Sequence, residues 1–440
     1  KANRVKTIAF YLPQFHPIEE NNAWWGKGFT EWTNVTRVNP LFTEHYQPHL
    51  PADLGFYDLR VPEVQQAQAS LARLYNIYGF CYYHYWFSGK KLLHKPLENL
   101  LANKSIRFPF CVCWANENWS RRWDGRDNEN LIEQKYKDDD YKKFIEDLIP
   151  VLSDDRYIRV EGRLLLLVYR VELIKNIAKA VSVWRNVVRD HGLGDLHLVG
   201  VESFLSDDPE NYGFDAMIEF PPACNDGIVR VYPDNYKGQA YDYGNLAHTF
   251  EQRERLSEKV YRGVCPAWDN TARRKNEGTL FLGSTPNRFR KWVQKSATST
   301  KQNETVNGKL MFVNAWNEWA EGCHLEPDQK FGHDYLTAVR DGLRLANGFE
   351  MQNDKDKRKI LFISHDFANA GAQLLLLRFI EWLSEHDLDI KPETLFNVHR
   401  SRLLHASEAE KKIYERFKKV SSCYFIDCDL GTPENLNKIN

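Results

Sequence analysis

The chain has 440 residues, and its Lys+Arg 59 against Asp+Glu 60 leave a formal net charge of -1. So even a balance gives no electrostatic case for nucleic acid or an anionic membrane surface as partner. No apolar run approaches the roughly 20 residues that span a bilayer, and Lys1 to Arg4 lead into a strand-like run without a signal-peptide core.

Val5 to Leu12 reads as a first strand, and Pro13 to Pro17 give it a rigid polar exit. The following loop, Trp24 to Val35, alternates glycines with indoles around one acid, Glu31. Large apolar groups in a loop need a partner, so this segment is expected either to plug one end of a barrel or to cover a substrate. Val61 to Tyr75 has helical periodicity, and Tyr78 to Phe87 reads as the second strand, ending in His84 and Trp86. The third, Phe108 to Trp114, is followed by Asn116, Glu117 and Trp119, and then by Arg121 to Gly125. Asp139 to Leu152 is an amphipathic helix, and Asp138, Asp139 and Asp140 at its start are expected to cap it, not to bind metal. Arg163 to Val168 is the fourth strand, ending at Tyr169; after a helix at Ile177 to His191, Leu196 to Val201 is the fifth, ending at Glu202. Asp215 to Phe220 is the sixth, with Glu219 near its end. The seventh, Tyr261 to Ala267, delivers Trp268, Asp269, Arg273 and Arg274. Helices at Asn287 to Thr298 and Gly332 to Leu345 flank the last strand.

That last strand, Leu310 to Val313, is uninterrupted and apolar, the pattern of a strand buried on both faces. Trp316, Asn317, Glu318, Trp319 and Glu321 follow at once, which places acids and aromatics at the mouth of a sheet. Strands alternating with helices about eight times predict an α/β protein with a (β/α)8 barrel over residues 1–349. Closure should gather Trp86, Trp114, Tyr169, Glu202, Glu219, Asp269 and Glu318 at the face formed by the strand C-termini. Residues 350–358 read as a charged linker and 359–440 as a partial Rossmann-like lobe with Gly371 opening a helix. Ser364, His365 and Asp366 are adjacent and cannot converge as a catalytic triad.

Paired acids among indoles suit a sugar, whose apolar face stacks on indole while its hydroxyls meet carboxylates and amides. The predicted site comprises Glu318 and Glu321 as catalytic residues. Around them His84, Trp86, Trp114, Asn116, Glu117, Trp119, Tyr169, Glu202, Glu219, Trp268, Asp269, Arg273, Trp316 and Asn317 contact an oligosaccharide or polysaccharide substrate. Arg273 and Arg274 could equally pair with barrel acids. The histidines lack metal-ligand spacing along the chain, so neither a metal nor a cofactor is expected. Cys81, Cys111, Cys113, Cys224, Cys265, Cys323, Cys423 and Cys428 mostly lie in strand-like runs without disulfide spacing, as in a reduced, cytoplasmic protein.

The motifs YLPQFH, WWGKGFTEWTNV, YHYW, WANENW, WDG, WDNTARR and WNEWAEG, spread over about residues 5 to 347, resemble the WbsX-type family of bacterial surface-polysaccharide biosynthesis proteins, named as glycosyltransferases. Asn317 to Gly322 is also similar to the catalytic segment of glycoside hydrolase family 99, the endo-α-mannosidases, with Ala320 in place of their histidine. That resemblance implies Glu318 as the base acting on a substrate 2-hydroxyl, Glu321 as the general acid, and retention through a 1,2-anhydro sugar. The segment from Lys359 to Leu377 resembles the start of a GT-B glycosyltransferase lobe, which implies a further transferase domain. Three functions follow as expectations: a retaining endo-glycosidase or transglycosylase, a sugar-nucleotide glycosyltransferase, or a glycan-binding barrel without catalysis. The barrel segment carries no phosphate-cradling glycine turn of the kind the second would use.

Overall fold

The computed structural model describes residues 4–121, 126–204, 207–223, 227–253, 257–349, 358–364, 371–385, 390–396 and 406–425. The chain divides into two compact units, Lys1–Gly348 and Phe349–Asn440.

In the first unit eight parallel strands close on themselves: β1 (Lys6–Tyr11), β2 (Ile77–Phe87), β3 (Phe110–Trp114), β4 (Arg163–Val168), β5 (Leu196–Glu202), β6 (Ala216–Glu219), β7 (Val260–Val264) and β8 (Leu310–Val313). Each pairs with its neighbour in sequence, and β8 returns to β1 through Lys6↔Leu310 to Ala9↔Val313. This is the expected (β/α)8 barrel. Leu164 to Val168 are wholly buried because one face lines the barrel and the other meets the helices. Gly263 of β7 is fixed by close approach: a Cβ there would stand 1.9 Å from the Glu219 carbonyl oxygen of β6.

The outer layer contains α1 (Pro62–Leu74), α2 (Lys95–Ala102), α3 (Asp138–Leu152), α4 (Ile177–Asp190), α5 (Tyr243–Gln252), α6 (Pro286–Gln302) and α7 (Asp334–Ala346). Of these, α2 and α5 are not expected from the sequence. As expected, Asp140 helps to cap α3, its carboxylate accepting from the Lys137 amide. Five described cysteines of the barrel, Cys81, Cys111, Cys113, Cys265 and Cys323, are free and buried.

The second unit contains a three-stranded parallel sheet in the order β9 (Arg358–Ser364), β10 (Ile390–Phe396), β11 (Ser422–Phe425), with α8 (Gly371–Glu385) and α9 (Glu408–Val420) between them. A reciprocal cap between Ser407 and Glu410 starts α9, which packs Ile413 and Phe417 with Leu377 and Ile380 of α8. Most of the expected linker (350–357), His365, Asp366, Cys224 and Cys428, and the motif at 122–125 lie outside the described residues. No helix among the described residues is long and apolar enough to cross a membrane.

Candidate active site

Directly after β8 the chain makes a tight hairpin, Asn317–Glu318 pairing antiparallel with Cys323–His324. Its turn is the 3-10 segment Trp319–Glu321 followed by Gly322 at φ +57°, where a Cβ would also crowd Asp269 at 3.0 Å. The short helix Thr271–Arg274 after β7 brings Arg273 over this turn. Its Nη2 lies 3.1 Å from Glu318 Oε2 and 3.1 Å from Glu31 Oε2, while Nη1 donates to Glu321 Oε1. One guanidinium thus serves three carboxylates drawn from the loops after β1 and β8.

Three acids therefore share the Arg273 guanidinium. Burial, then the charge of Glu321, push the Glu318 carboxyl up to about 8, although Arg273 opposes them. Glu31 is wholly buried and also raised, again by burial first and against Arg273. Burial disfavours the charge of Arg273, but Glu31, Glu321 and Glu318 outweigh it and hold its pKa far above the usual range.

Glu318, Glu321 and Arg273 line a cavity of about 640 Å³ at the C-terminal mouth of the barrel. Its aromatic wall includes Tyr83, Tyr85, Trp119, Tyr169 and Trp268, and Gln14, Asn21 and Trp25 reach it from the loop after β1. Glu117 joins the wall and pairs with Arg170. Behind the hairpin, Glu326 is almost fully buried and takes four donors: Trp316 Nε1 at 2.8 Å and Gln68 Nε2 at 2.7 Å on one oxygen, Tyr57 Oη and Trp319 Nε1, both at 2.7 Å, on the other.

Residues 7–339 match the family described as Glycosyltransferase WbsX. The chain is 46% identical over 344 residues to the uncharacterized protein WxcX of Xanthomonas campestris pv. campestris strain B100, covering 77% of this chain and 50% of that protein. WxcX of strain ATCC 33913 matches to the same extent. The chain belongs to the WbsX family. It spans about half the length of the curated relatives it matches. Among solved structures, a glycoside hydrolase-like protein superposes with a TM-score of 0.50 at 14% identity, covering 78% of this chain and 95% of that one, a likeness of fold. The GH99 endo-alpha-mannosidase from Bacteroides thetaiotaomicron gives 0.49 at 14% identity, covering 78% and 98%.

In this WbsX chain the sequence-predicted site residues fall into two groups. Glu318, Glu321, Arg273, Glu117, Trp119, Tyr169 and Trp268 come together at the cavity. The side chains of the others are committed elsewhere. Trp86 donates to Asp147 of α3 at 2.7 Å, and Trp114 stacks on Phe144 of the same helix with ring centroids 4.1 Å apart. His84 lies buried beside Phe144, and burial lowers its pKa to about 4. The reason is strand parity: alternate residues face opposite sides, and on β2 it is Tyr83 and Tyr85 that face the mouth. Asn116 is buried, bonding the Arg170 backbone and Tyr136. Asn317 bridges both backbone polar groups of Leu12, and Trp316 is held by Glu326. Glu202 pairs with Arg253 at 2.8 Å, Glu219 with Arg262 at 3.2 Å, and Asp269 with His45 at 2.7 Å and Thr271.

Sequence reasoning left Gln14, Asn21, Tyr83 and Tyr85 out of the site, and gave Glu31 no role there. For Glu31 the signal was its place as the one acid in an indole-rich loop. Folding also brings His49, His324 and Asp328 together with ligand-capable atoms within 4.8 Å, a grouping the linear spacing could not reveal because the two histidines lie 275 residues apart. His324 Nδ1 is 2.9 Å from the Glu326 carbonyl oxygen and its Nε2 3.0 Å from His49 Nδ1. This set could hold a divalent cation, and without one the rings hydrogen-bond to each other.

Proposed function

We propose that this chain is a carbohydrate-active enzyme of bacterial surface-polysaccharide metabolism that cleaves or transfers glycosidic bonds with retention, using Glu318 and Glu321. The observation that carries this reading is the pair of carboxyl groups held on neighbouring nitrogens of one buried guanidinium, in a cavity walled by indoles and phenols. Sharing one guanidinium favours the close spacing of a retaining pair, about 5–5.5 Å, over the roughly 6.5–9.5 Å that leaves room for an attacking water.

The chemistry needs one proton on the pair. Following the family 99 resemblance, Glu318 takes the proton of the substrate 2-hydroxyl as that oxygen attacks the anomeric carbon. Glu321 gives its proton to the departing glycosidic oxygen, leaving a 1,2-anhydro sugar. Water or an acceptor hydroxyl then opens that ring, and both protons return. The high pKa of Glu318 favours a second reading in which it is the acid and Glu321 the base, since a carboxyl raised to about 8 holds its proton at neutral pH. In a coupled pair the apparent values belong to both groups.

Leaving-group dependence separates the two. On a panel of bacterial polysaccharides and aryl glycosides, replacing the acid with Gln should cut turnover of natural glycosides by about 10²–10⁴-fold while sparing activated leaving groups. Replacing the base should impair both classes. Fast turnover of a 2-deoxy substrate would rule out the anhydro-sugar route. Product formation only when a sugar nucleotide is added would instead make the chain a glycosyltransferase.

A further inference from the structure

The loop after β1 places two primary amides at the cavity that have no hydrogen-bond partner for key atoms among the described residues. Asn21 is 0% exposed, and both its Nδ2 and Oδ1 are unpartnered; Gln14 is 3% exposed with Nε2 unpartnered. Both residues line the cavity that holds Glu318 and Glu321. Buried amides are normally satisfied, because desolvation without a partner is unfavourable and an apolar side chain of similar size avoids it. Two such residues on one cavity wall therefore point to a ligand that completes them.

The surroundings define its chemistry. The Gln14 backbone carbonyl accepts from the Glu31 amide at 3.2 Å, which ties this residue to the segment whose acid shares Arg273. Asn21 and Trp25 lie four residues apart on the short helix Glu19–Trp25, on the same side of it, and Trp25 also lines the cavity. A carboxamide offers one acceptor and one donor side by side, the complement of two neighbouring hydroxyls. An indole next to it offers a face for the ring that carries them.

We propose that Gln14 and Asn21 form a subsite that reads the vicinal diol of a neutral pyranose in the cavity of Glu318 and Glu321. Asn21 Oδ1 accepts from one hydroxyl while Nδ2 donates to its neighbour, and Gln14 Nε2 adds a donor. The inference rests on the carbohydrate reading above and adds to it the group recognised and the residues that recognise it.

The test uses the full chain carrying Glu318→Gln and Glu321→Gln, so that saccharides stay intact. Calorimetric titration is made with trisaccharides of α-linked mannose, glucose, galactose and N-acetylglucosamine, and with deoxy analogues of whichever binds. Asn21→Leu and Gln14→Leu are each expected to weaken binding by about 10-fold or more. Removing one hydroxyl of the diol should cost the parent a similar factor and cost Asn21→Leu nothing further. The thermal midpoint of both variants should hold or rise, because an unpartnered buried amide is replaced by an apolar group. Unchanged affinity in both variants, or binding that depends on the acetamido group and not on the diol, overturns the inference and leaves the carbohydrate reading standing. A thermal midpoint lowered by several degrees in both makes the amides structural and overturns it without reference to any ligand. If the parent binds no saccharide, the carbohydrate reading fails and the subsite with it.

Discussion

Glu318 and Glu326 lie eight positions apart on one loop, both buried, and their surroundings are opposite in kind. Glu326 is met by four neutral donors from two indoles, a phenol and an amide. Glu318 is met by a guanidinium that it shares with two other acids. A carboxylate surrounded by dedicated donors has no remaining demand and serves to hold the loop. Burial raises both carboxyls, Glu326 to about 7 and Glu318 to about 8, so what separates them is access: Glu318 lines the cavity, and Glu326 is not among the residues that line it.

Removing each carboxylate should separate these roles. Glu326→Ala leaves four buried donors unpaired, and at about 1–3 kcal/mol each it should cost roughly 4 kcal/mol or more of stability, read as a large fall in the thermal midpoint by circular dichroism. Glu321→Gln takes one charge from an overcrowded cluster and should instead raise stability, on the order of 1 kcal/mol. If both variants lose stability alike, the contrast is wrong.

A second contrast sets the two sides of the barrel wall against each other. Trp114→Ala, behind β3, should lose about 3–5 kcal/mol of stability as a buried large-to-small change. Trp119→Ala, at the cavity, should lose little stability and weaken saccharide binding instead. Equal stability losses would place Trp119 in the core.

The last contrast is in pH dependence. A carboxyl raised from its ordinary range to about 8 binds its proton more tightly in the folded chain than in the unfolded one. Its contribution to stability is therefore fully present below about pH 4.5 and is lost as pH rises through 8. One such proton gives a slope of about 1.4 kcal/mol per pH unit within that window. Burial pushes Glu326 up to about 7, against its four donors, so it acts in part of the same window. The informative quantity is the difference between the parent and Glu318→Gln in urea denaturation at pH 5, 6.5 and 8. Parallel pH profiles would remove Glu318 as the proton carrier.

Much of the barrel was legible because its strands are short apolar runs ended abruptly by polar residues. Arg163–Val168 and Leu310–Val313 come out with the expected boundaries. The acid pair was legible for the same reason, since it follows a strand end directly. What the sequence concealed was parity. In β2, IYGFCYYHYWF, both faces are aromatic, so alternation gives no sign that Tyr83 and Tyr85 face the mouth while His84 and Trp86 face α3. The long-range partners were hidden too. Glu326 finds Tyr57 across 269 residues and Gln68 across 258, and no local pattern encodes such pairings.

The pairing of Arg273 with Glu31 spans 242 positions, and Glu31 and Glu318 stand near opposite ends of the barrel segment. During synthesis, therefore, the ribosome must complete nearly the whole barrel before the acids and their shared cation can meet. Contacts this distant in sequence tie the cluster to closure of β8 onto β1, because loop closure must come before they form. Assembly of the acid cluster and sealing of the barrel are therefore one event, and a chain cut before β8 lacks Glu318 and Glu321 altogether.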